Sequence, residues 1–531
     1  MTRTMTPTTM DDVELTLDWV ANRAERENAR VEVVSRKPDR SLTRTTYGDV
    51  IRRARQLARA LIDAGIARGD RVATLMWNHA EHLEAYFGIP LAGAVLHTLN
   101  LRLPPEDIAF IANDAGDRML IVDDVLLPLY DKVVAAGATF ERVIVVGKDY
   151  EQFLAGARDA TPLPKLSERD ALGTCYTSGT TGRPKGVVYS HRSSMLHTLV
   201  VALPDSLELS RAEVVLPVVP MFHVNAWGLP YACAMTGAKL VFPGPCLDPP
   251  SLLELMQDER VTVAAGVPTI WIGIRDVLDA KPGAYKLKEG VRMIVGGSAA
   301  PEQLIRDFDR LGLRLIHAWG MTETSPIGTV SRLSPELAAA DEATRYKVRA
   351  RQGVSVPLVD IRVRNDAGDV PSDDSTSGEV LIRGPWIAGS YAGGHTPERW
   401  TADGYFRTGD VARIDRNGYI QLTDRIADLC KSGGEWIATQ ELENALMGHP
   451  AVREAAVIGV PHPKWSERPL AAIVFKDGQS ATPEELRAFL APKFPKYWLP
   501  DAYVTVDSIP RTSAGKFKKT ELRVRFKDWT W

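Results

Sequence analysis

From Tyr47 onward the chain switches repeatedly between two hydrophobic periods, and that alternation restricts the fold more than any other feature of the sequence. Val50, Ile51, Ala54, Leu57, Ala58, Leu61 and Ile62 share one helical face, Gly65 stops the helix, and residues 72–76 form a short apolar run. Further short runs follow at 95–99, 119–122 and 143–146, with a helix opening near Pro104 and Pro105. Runs of Val, Ile and Leu separated by helices predict parallel strands covered on both faces, because each parallel neighbour needs a crossover helix that packs back on the sheet. A second series, with strands at 239–242, 261–267, 292–295 and 314–317 and a helix at 250–259, predicts a second α/β layer in the same large N-terminal region.

Beyond Gly378 the runs at 379–382 and 419–422 alternate polar and apolar residues, as a small antiparallel sheet or barrel would. The last part of the chain reads as a separate α+β unit, with Thr482, Pro483 and Glu485 at the N-cap, N1 and N3 positions of a capping box. A boundary at 424–428 divides the chain into a large N-terminal domain, 1–424, and a small C-terminal domain, 425–531. The expected fold class is α/β: two α/β subdomains plus a small antiparallel barrel, followed by the α+β domain. The 531 residues suit several domains, and 64 Lys plus Arg against 67 Asp plus Glu leave no cationic footprint, so nucleic acid is not expected as a partner. Cys175, Cys233, Cys246 and Cys430 stand singly, which argues against a disulfide framework or a zinc site and for a reducing, cytoplasmic setting. Residues 1–12 lack an apolar stretch, and the greasiest segment, 214–235, is broken by Pro217, Pro220, His223, Asn225 and Pro230, so no leader or transmembrane segment is expected.

The most informative stretch for chemistry is 176–186, YTSGTTGRPKG. Its glycines, Gly179 and Gly182 among them, let backbone N–H groups turn inward; Thr177, Ser178, Thr180 and Thr181 add hydroxyl donors; and Lys185 supplies a movable positive charge. Such a loop suits a phosphate, although composition alone fits an ordinary solvent-exposed loop equally well. It is not a Walker A loop, since Pro184 precedes Lys185 and Gly186 follows it.

The string resembles the phosphate-binding loop of the acyl-adenylate-forming superfamily: acyl-CoA synthetases, luciferases and peptide-synthetase adenylation domains. Four more motifs of that family follow in order, HAWGMTETSP at 317–326, YFRTGD at 405–410, DRIADLCKSGGEW at 424–436 and PRTSAGK at 510–516. The resemblance therefore spans nearly the whole chain. It implies ATP, Mg2+ and CoA, with acyl-AMP formed first and the acyl group then passed to CoA while the small domain rotates. A carboxylate is a poor acyl donor, because its leaving group would be oxide, so its oxygen must first be replaced by one that leaves as AMP. By resemblance Glu323, with Thr177, holds Mg2+; Thr322 donates to the α-phosphate; and Gly297, Ser298, Ala299, His317, Ala318, Trp319, Gly320 and Met321 line the nucleotide. The family more often has Tyr where Trp319 stands. Asp410 is implied to accept the ribose hydroxyls, with Arg425 beside it, and Lys516 to bridge substrate carboxylate and α-phosphate. Lys431, Gly434, Glu435 and Trp436 match the segment that guides pantetheine, and Ala427 stands where the family's pivot is usually Lys or Asp.

The acyl end is read from 220–231, PMFHVNAWGLPY, and 295–301, VGGSAAP. These most resemble bacterial medium- and long-chain fatty acyl-CoA synthetases and 3-methylmercaptopropionate-CoA ligases, which implies that Trp227 gates the acyl tunnel and His223 lies near the carboxylate. Gly296, Gly297, Ala299, Ala300 and Pro301 are expected to leave room for an acyl stem. With no obvious Lys or Arg there to meet a second carboxylate, an apolar monocarboxylic acid is the expected substrate. A 3-methylmercaptopropionate or aryl acid, or transfer to a carrier protein or amine, stands as the alternative; a homodimer is implied only by the nearest branch. Two other chemistries fit poorly. Gly297-Ser298-Ala299 lacks the final glycine of a nucleophile elbow, and His79 and His82 belong to no HExxH.

Overall fold

The computed structural model describes residues 9–177, 183–433, 435–511 and 517–531, with the backbone alone of Glu435. Four sheets organise them. In the six-stranded sheet, Arg142–Val146, Asp117–Asp123, Arg71–Leu75, Val95–Thr98 and Ala171–Tyr176 run parallel, and Gly186–Ser190 closes the edge antiparallel. Beyond the last strand pair, Tyr176 with Gly186, Thr177 N–H bonds to Lys185 O at 3.0 Å and Lys185 N–H to Thr177 Oγ1 at 3.1 Å. Ser178, Gly179, Thr180, Thr181 and Gly182 lie outside the described residues.

The nine-stranded sheet has a parallel centre of Arg314–Gly320, Arg292–Val295, Val263–Gly266, Val214–Pro217, Lys239–Phe242 and Glu32–Arg36. Its presence of Glu32–Arg36 is a departure from the sequence reading, which began the pattern at Tyr47: the first strand of the chain joins the second sheet, pairing Val34 with Val241. Both sheets are covered on both faces, as the apolar runs require. One core contains Tyr47, Leu57, Phe87 and Val215, and separate cores fill the outer faces, one around Trp271 and Phe308, the other around Leu120 and Ile108. Tyr47–Asp63 and Ala80–Leu91 touch closely enough that Gly88 is required: a Cβ there would lie 2.8 Å from Ala54 O.

The five-stranded sheet, Gly368–Asp369, Asp360–Asn365, Gly378–Arg383, Phe406–Ile414 and Ile420–Arg425, is antiparallel throughout. After it comes the C-terminal α+β unit, in which Val452–His462 and Ser466–Phe475 form a long hairpin flanked by Cys430–Ser432 and by the parallel strand Ala502–Thr505. Its helix Pro483–Leu490 carries the expected capping box, with Thr482 Oγ1 accepting from Glu485 N–H at 3.2 Å and Glu485 Oε2 accepting from Thr482 N–H at 2.8 Å.

Candidate active site

The carboxyl ends of the parallel strands in the nine-stranded sheet open on one cavity of about 710 Å³, the position at which open α/β sheets take ligands. Arg292–Val295 delivers Gly296, Gly297, Ser298 and Ala299 to its wall, and Arg314–Gly320 delivers His317, Ala318, Trp319 and Gly320. Met321, Thr322 and Glu323 continue the wall, the latter two in a short 3-10 turn, Thr322–Thr324. Thr177 and Lys185 come from the six-stranded sheet, His223 and Trp227 from the segment after Val214–Pro217, and Asp410, Arg425 and Ala427 from the antiparallel sheet and the turn that follows it. Elements far apart in sequence thus converge on one space.

At one wall Asp410 is 3% exposed, and both carboxylate oxygens are held: Trp319 Nε1 donates to Oδ2 at 2.9 Å, and Arg425 Nε lies 3.1 Å from Oδ1. The register pairs Asp410 with Arg425 across adjacent strands, so the ion pair is built into the sheet. Each carboxylate oxygen has a second lone pair, and Asp410 keeps capacity for further donors such as two neighbouring hydroxyls. Trp319, which stands where the resembled family more often has Tyr, thus fixes the acid through its indole N–H. Trp319 also packs so closely on Gly328 that a Cβ there would stand 2.8 Å from the ring.

Glu323 is buried, and its Oε1 accepts from Tyr391 O–H at 2.5 Å, while Lys185 Nζ stands 5.4 Å above the Tyr391 ring. Tyr391 escaped the sequence reading. It sits in the loop SYAGG with no periodic or motif signal, and only the fold brings it between the lysine and the acid. Burial, and then the neighbouring Glu323 charge, push its phenol far above the ordinary range, so it stays a donor. Among the described residues no three His, Cys, Asp or Glu side chains cluster to hold a metal. That suits Mg2+, which binds through one or two carboxylates and takes its remaining oxygens from phosphate and water, and Glu323 fits such a role. His317 is buried with Nδ1 3.2 Å from Ala350 O, and burial pushes it down to about 4, leaving a neutral imidazole.

The cavity wall around Trp227 brings the largest surprise. Val224, Asn225, Ala226 and Trp227 all have positive φ, 43°, 50°, 47° and 59°, followed by Gly228 at 76°. A run of left-handed non-glycine residues costs roughly 1–2 kcal/mol each and persists only where its surroundings enforce it. Here Ala226 N–H bonds to His223 O at 3.2 Å, and the buried Asn225 side-chain Oδ1 accepts from the Cys175 thiol, Sγ to Oδ1 3.3 Å. The turn drives the Trp227 indole into the cavity wall, where a Cβ on Gly296 would meet its ring at 3.0 Å. The room expected at Gly296 is therefore taken by Trp227. Gly297, at φ 84°, faces open space apart from Val267 at 3.4 Å.

Other expected residues lie elsewhere. Ala300 is buried in the core beneath the helix Glu302–Arg310, and Pro301 is the N-cap of that helix and faces a second cleft beside the C-terminal unit. The strand-to-helix turn ends before them, which carries both away from the cavity. Lys431 and Trp436 lie on the hairpin Cys430–Ser432 and Glu435–Ile437, both exposed, with Lys431 Nζ 5.4 Å above the indole; neither lines the cavity. Gly434, Lys516 and the Glu435 side chain lie outside what is described. Ala427 is exposed, in a turn closed by Leu429 N–H on Arg425 O at 3.0 Å. Phe517, Lys518 and Lys519, which follow Lys516 in the chain, do line the cavity.

A parallel-sheet cavity with a buried acid beside an indole, a carboxylate suited to Mg2+, and Thr177 and Lys185 in its lining fits a nucleotide-dependent enzyme. Comparison with known proteins agrees: the model of the AMP-binding enzyme family matches residues 20–392, and that of the AMP-binding enzyme C-terminal domain matches 441–516. A long-chain-fatty-acid–CoA ligase of Thermus thermophilus is 49% identical over 534 residues, covering 98% of this chain and 98% of its own. A 3-methylmercaptopropionyl-CoA ligase of Ruegeria pomeroyi is 42% identical, covering 97% and 98%. An anthranilate CoA ligase solved with anthranoyl-AMP shares the fold, with a TM-score of 0.85 at 24% identity over 98% of this chain and 99% of that one. The chain belongs to the AMP-binding enzyme family. It is an AMP-forming acid–thiol ligase, an acyl-CoA ligase that uses ATP, Mg2+ and CoA. Among the described residues no helix is long and apolar enough to cross a membrane.

Proposed function

We propose that this ligase activates an apolar monocarboxylic acid, a medium- or long-chain fatty acid, through acyl-AMP. One observation carries the reading: the lining of the cavity that holds Asp410, Thr177 and Lys185 includes, besides His223, the apolar side chains Leu207, Val224, Trp227, Ile294 and Ile327, none of which can pair with a second charge. The most similar relative named above acts on long-chain fatty acids, which supports it. Asp410 would accept from the ribose hydroxyls, and Lys185, with the hydroxyls of Thr177, Ser178, Thr180 and Thr181, would donate to the phosphates. When bound, Mg2+ would offset the negative charge of the departing pyrophosphate. A substrate carboxylate oxygen attacks the α-phosphorus, the bond to pyrophosphate breaks, and Lys516 stabilises the charge developing between them. In the second half-reaction the CoA thiol attacks the acyl carbon and AMP leaves with the bonding pair. Residues 425–531 would act as the smaller moving domain, turning at Ala427, with Lys431 and residues 434–436 meeting the pantetheine arm after rotation. Cytoplasmic residence and a homodimer belong to the same reading.

A second reading, a short acid such as 3-methylmercaptopropionate, is favoured by the Trp227 ring occupying the space above Gly296 and by the Ruegeria relative. Measuring kcat/KM across straight-chain acids from about two to about eighteen carbons, with methylthiopropionate and cinnamate, decides between them. Since one methylene is worth about 1–3 kcal/mol, a fatty acid ligase gives a broad maximum at medium or long chains, whereas a sharp maximum at a short or aromatic acid refutes it.

A further inference from the structure

Lys519 is buried and follows Lys516 by three residues. Its Nζ donates to Glu443 Oε1 at 2.7 Å and to Thr439 Oγ1 at 2.7 Å. Glu443 Oε1 also accepts Val457 N–H at 2.7 Å, and Thr439 passes its own hydroxyl proton to Asp424 Oδ2 at 2.7 Å. All donors in this chain point one way, from lysine to threonine to aspartate. Asp424 stands on Ile420–Arg425, before Ala427, while Thr439, Glu443 and Lys519 come after it. The network therefore joins the two sides of the proposed pivot.

A buried ammonium gives little net stability, since an apolar side chain of the same volume often serves as well; what an ion pair adds is a fixed direction. That direction matters here. Lys519 opens the helix Lys519–Arg525, whose N-cap Lys518 makes no side-chain capping bond, so the ion pair does the work of setting where the helix begins. Just before it, Arg511 and Phe517 form a β-bridge and Lys518 N–H bonds to Pro510 O at 2.8 Å, which ties the two ends of the segment containing Lys516 together. Phe517 and Lys518 then face the cavity.

We propose that Lys519 is a positioning residue for adenylation: anchored on Glu443 and, through Thr439, on Asp424, it holds Phe517 and Lys518, which follow Lys516 in the chain, at the cavity wall. This rests on the reading of Lys516 as the adenylating lysine. Glu443 and Lys519 move together on either side of a rotation, whereas the bond from Thr439 to Asp424 can exist only in the arrangement seen here. The effect of losing Lys519 should therefore fall on one half-reaction.

The test uses the full chain, the acid it turns over fastest and the synthetic adenylate of that acid. Lys519→Met is expected to slow ATP–pyrophosphate exchange about 10- to 100-fold, the size of a misplacement effect, while thioester formation from supplied acyl-AMP and CoA changes less than about threefold. Lys519→Arg should restore most of the exchange. Glu443→Gln/Lys519→Met, which removes both charges of the Lys519–Glu443 pair and keeps an acceptor for Val457 N–H, should show the same selective loss and serves if the single variant does not fold. Equal loss in both half-reactions, or in neither, overturns the proposal. Lys516→Ala separates it from the underlying reading: retained exchange in that variant refutes the role of Lys516 itself, whatever Lys519 does.

Discussion

Trp319 shows how one side chain sets the quality of the proposed ribose site. Its indole N–H holds Asp410 Oδ2 at 2.9 Å inside a buried wall, a bond to a charged acceptor that is worth about 1.5–3 kcal/mol. Trp319→Phe keeps a flat ring but frees the carboxylate to rotate. Expected is a rise of about tenfold or more in KM for ATP with a smaller fall in kcat, measured by initial rates at saturating acid. An unchanged KM would mean that Arg425 alone orients Asp410. At this scale the sequence was informative wherever a motif fixed a residue type, as for Glu323 and Asp410, both of which reach the cavity. It was silent on Tyr391, because contact between Lys185, Tyr391 and Glu323 depends on three loops meeting and leaves no local trace.

The left-handed turn before Leu229–Thr236 rests on the neighbouring helix His191–Ala202. Gly228 must lack a side chain there, since a Cβ would meet the His197 ring at 2.7 Å, and His197 Nε2 accepts from Ile327 N–H at 3.4 Å. Burial pushes His197 down to about 3, so the folded protein keeps it neutral while the unfolded chain protonates near 6.5. Its contribution to stability is therefore complete above that value and is lost as pH falls through it. The destabilisation caused by His197→Asn should be about 1 kcal/mol smaller at about pH 5.5 than at about pH 7.5, read from urea unfolding at both; a penalty independent of pH would show that the imidazole is not buried neutral. Elements of this kind resist sequence reading. VNAWG has no periodicity that announces five consecutive positive φ values, because tertiary contacts, of Cys175 with Asn225 and of His197 with Gly228, enforce them. The helices and parallel strands were legible, because a buried strand must be apolar on both faces and a covering helix on one.

Across the whole molecule, the alternating periods predicted two covered parallel sheets, a small antiparallel sheet or barrel and an α+β tail; all are present, the third as a five-stranded antiparallel sheet. The allocation of Glu32–Arg36 to the distant sheet was not legible, since strand order reflects long-range pairing and the strand's own residues suit either sheet. Arrangement between the parts was equally hidden: Asp424, Thr439 and Lys519 are ordinary polar residues in sequence and one buried network in space. The functional account needs the minor part of the chain to deliver a lysine to the nucleotide held by the major part, and only for the first of two reactions. Its most direct test is ATP–pyrophosphate exchange by the native chain and by Lys516→Ala, beside thioester formation from preformed acyl-AMP. Exchange lowered by about two to three orders of magnitude, with the second step largely preserved, is the predicted result; exchange that survives in Lys516→Ala would contradict it.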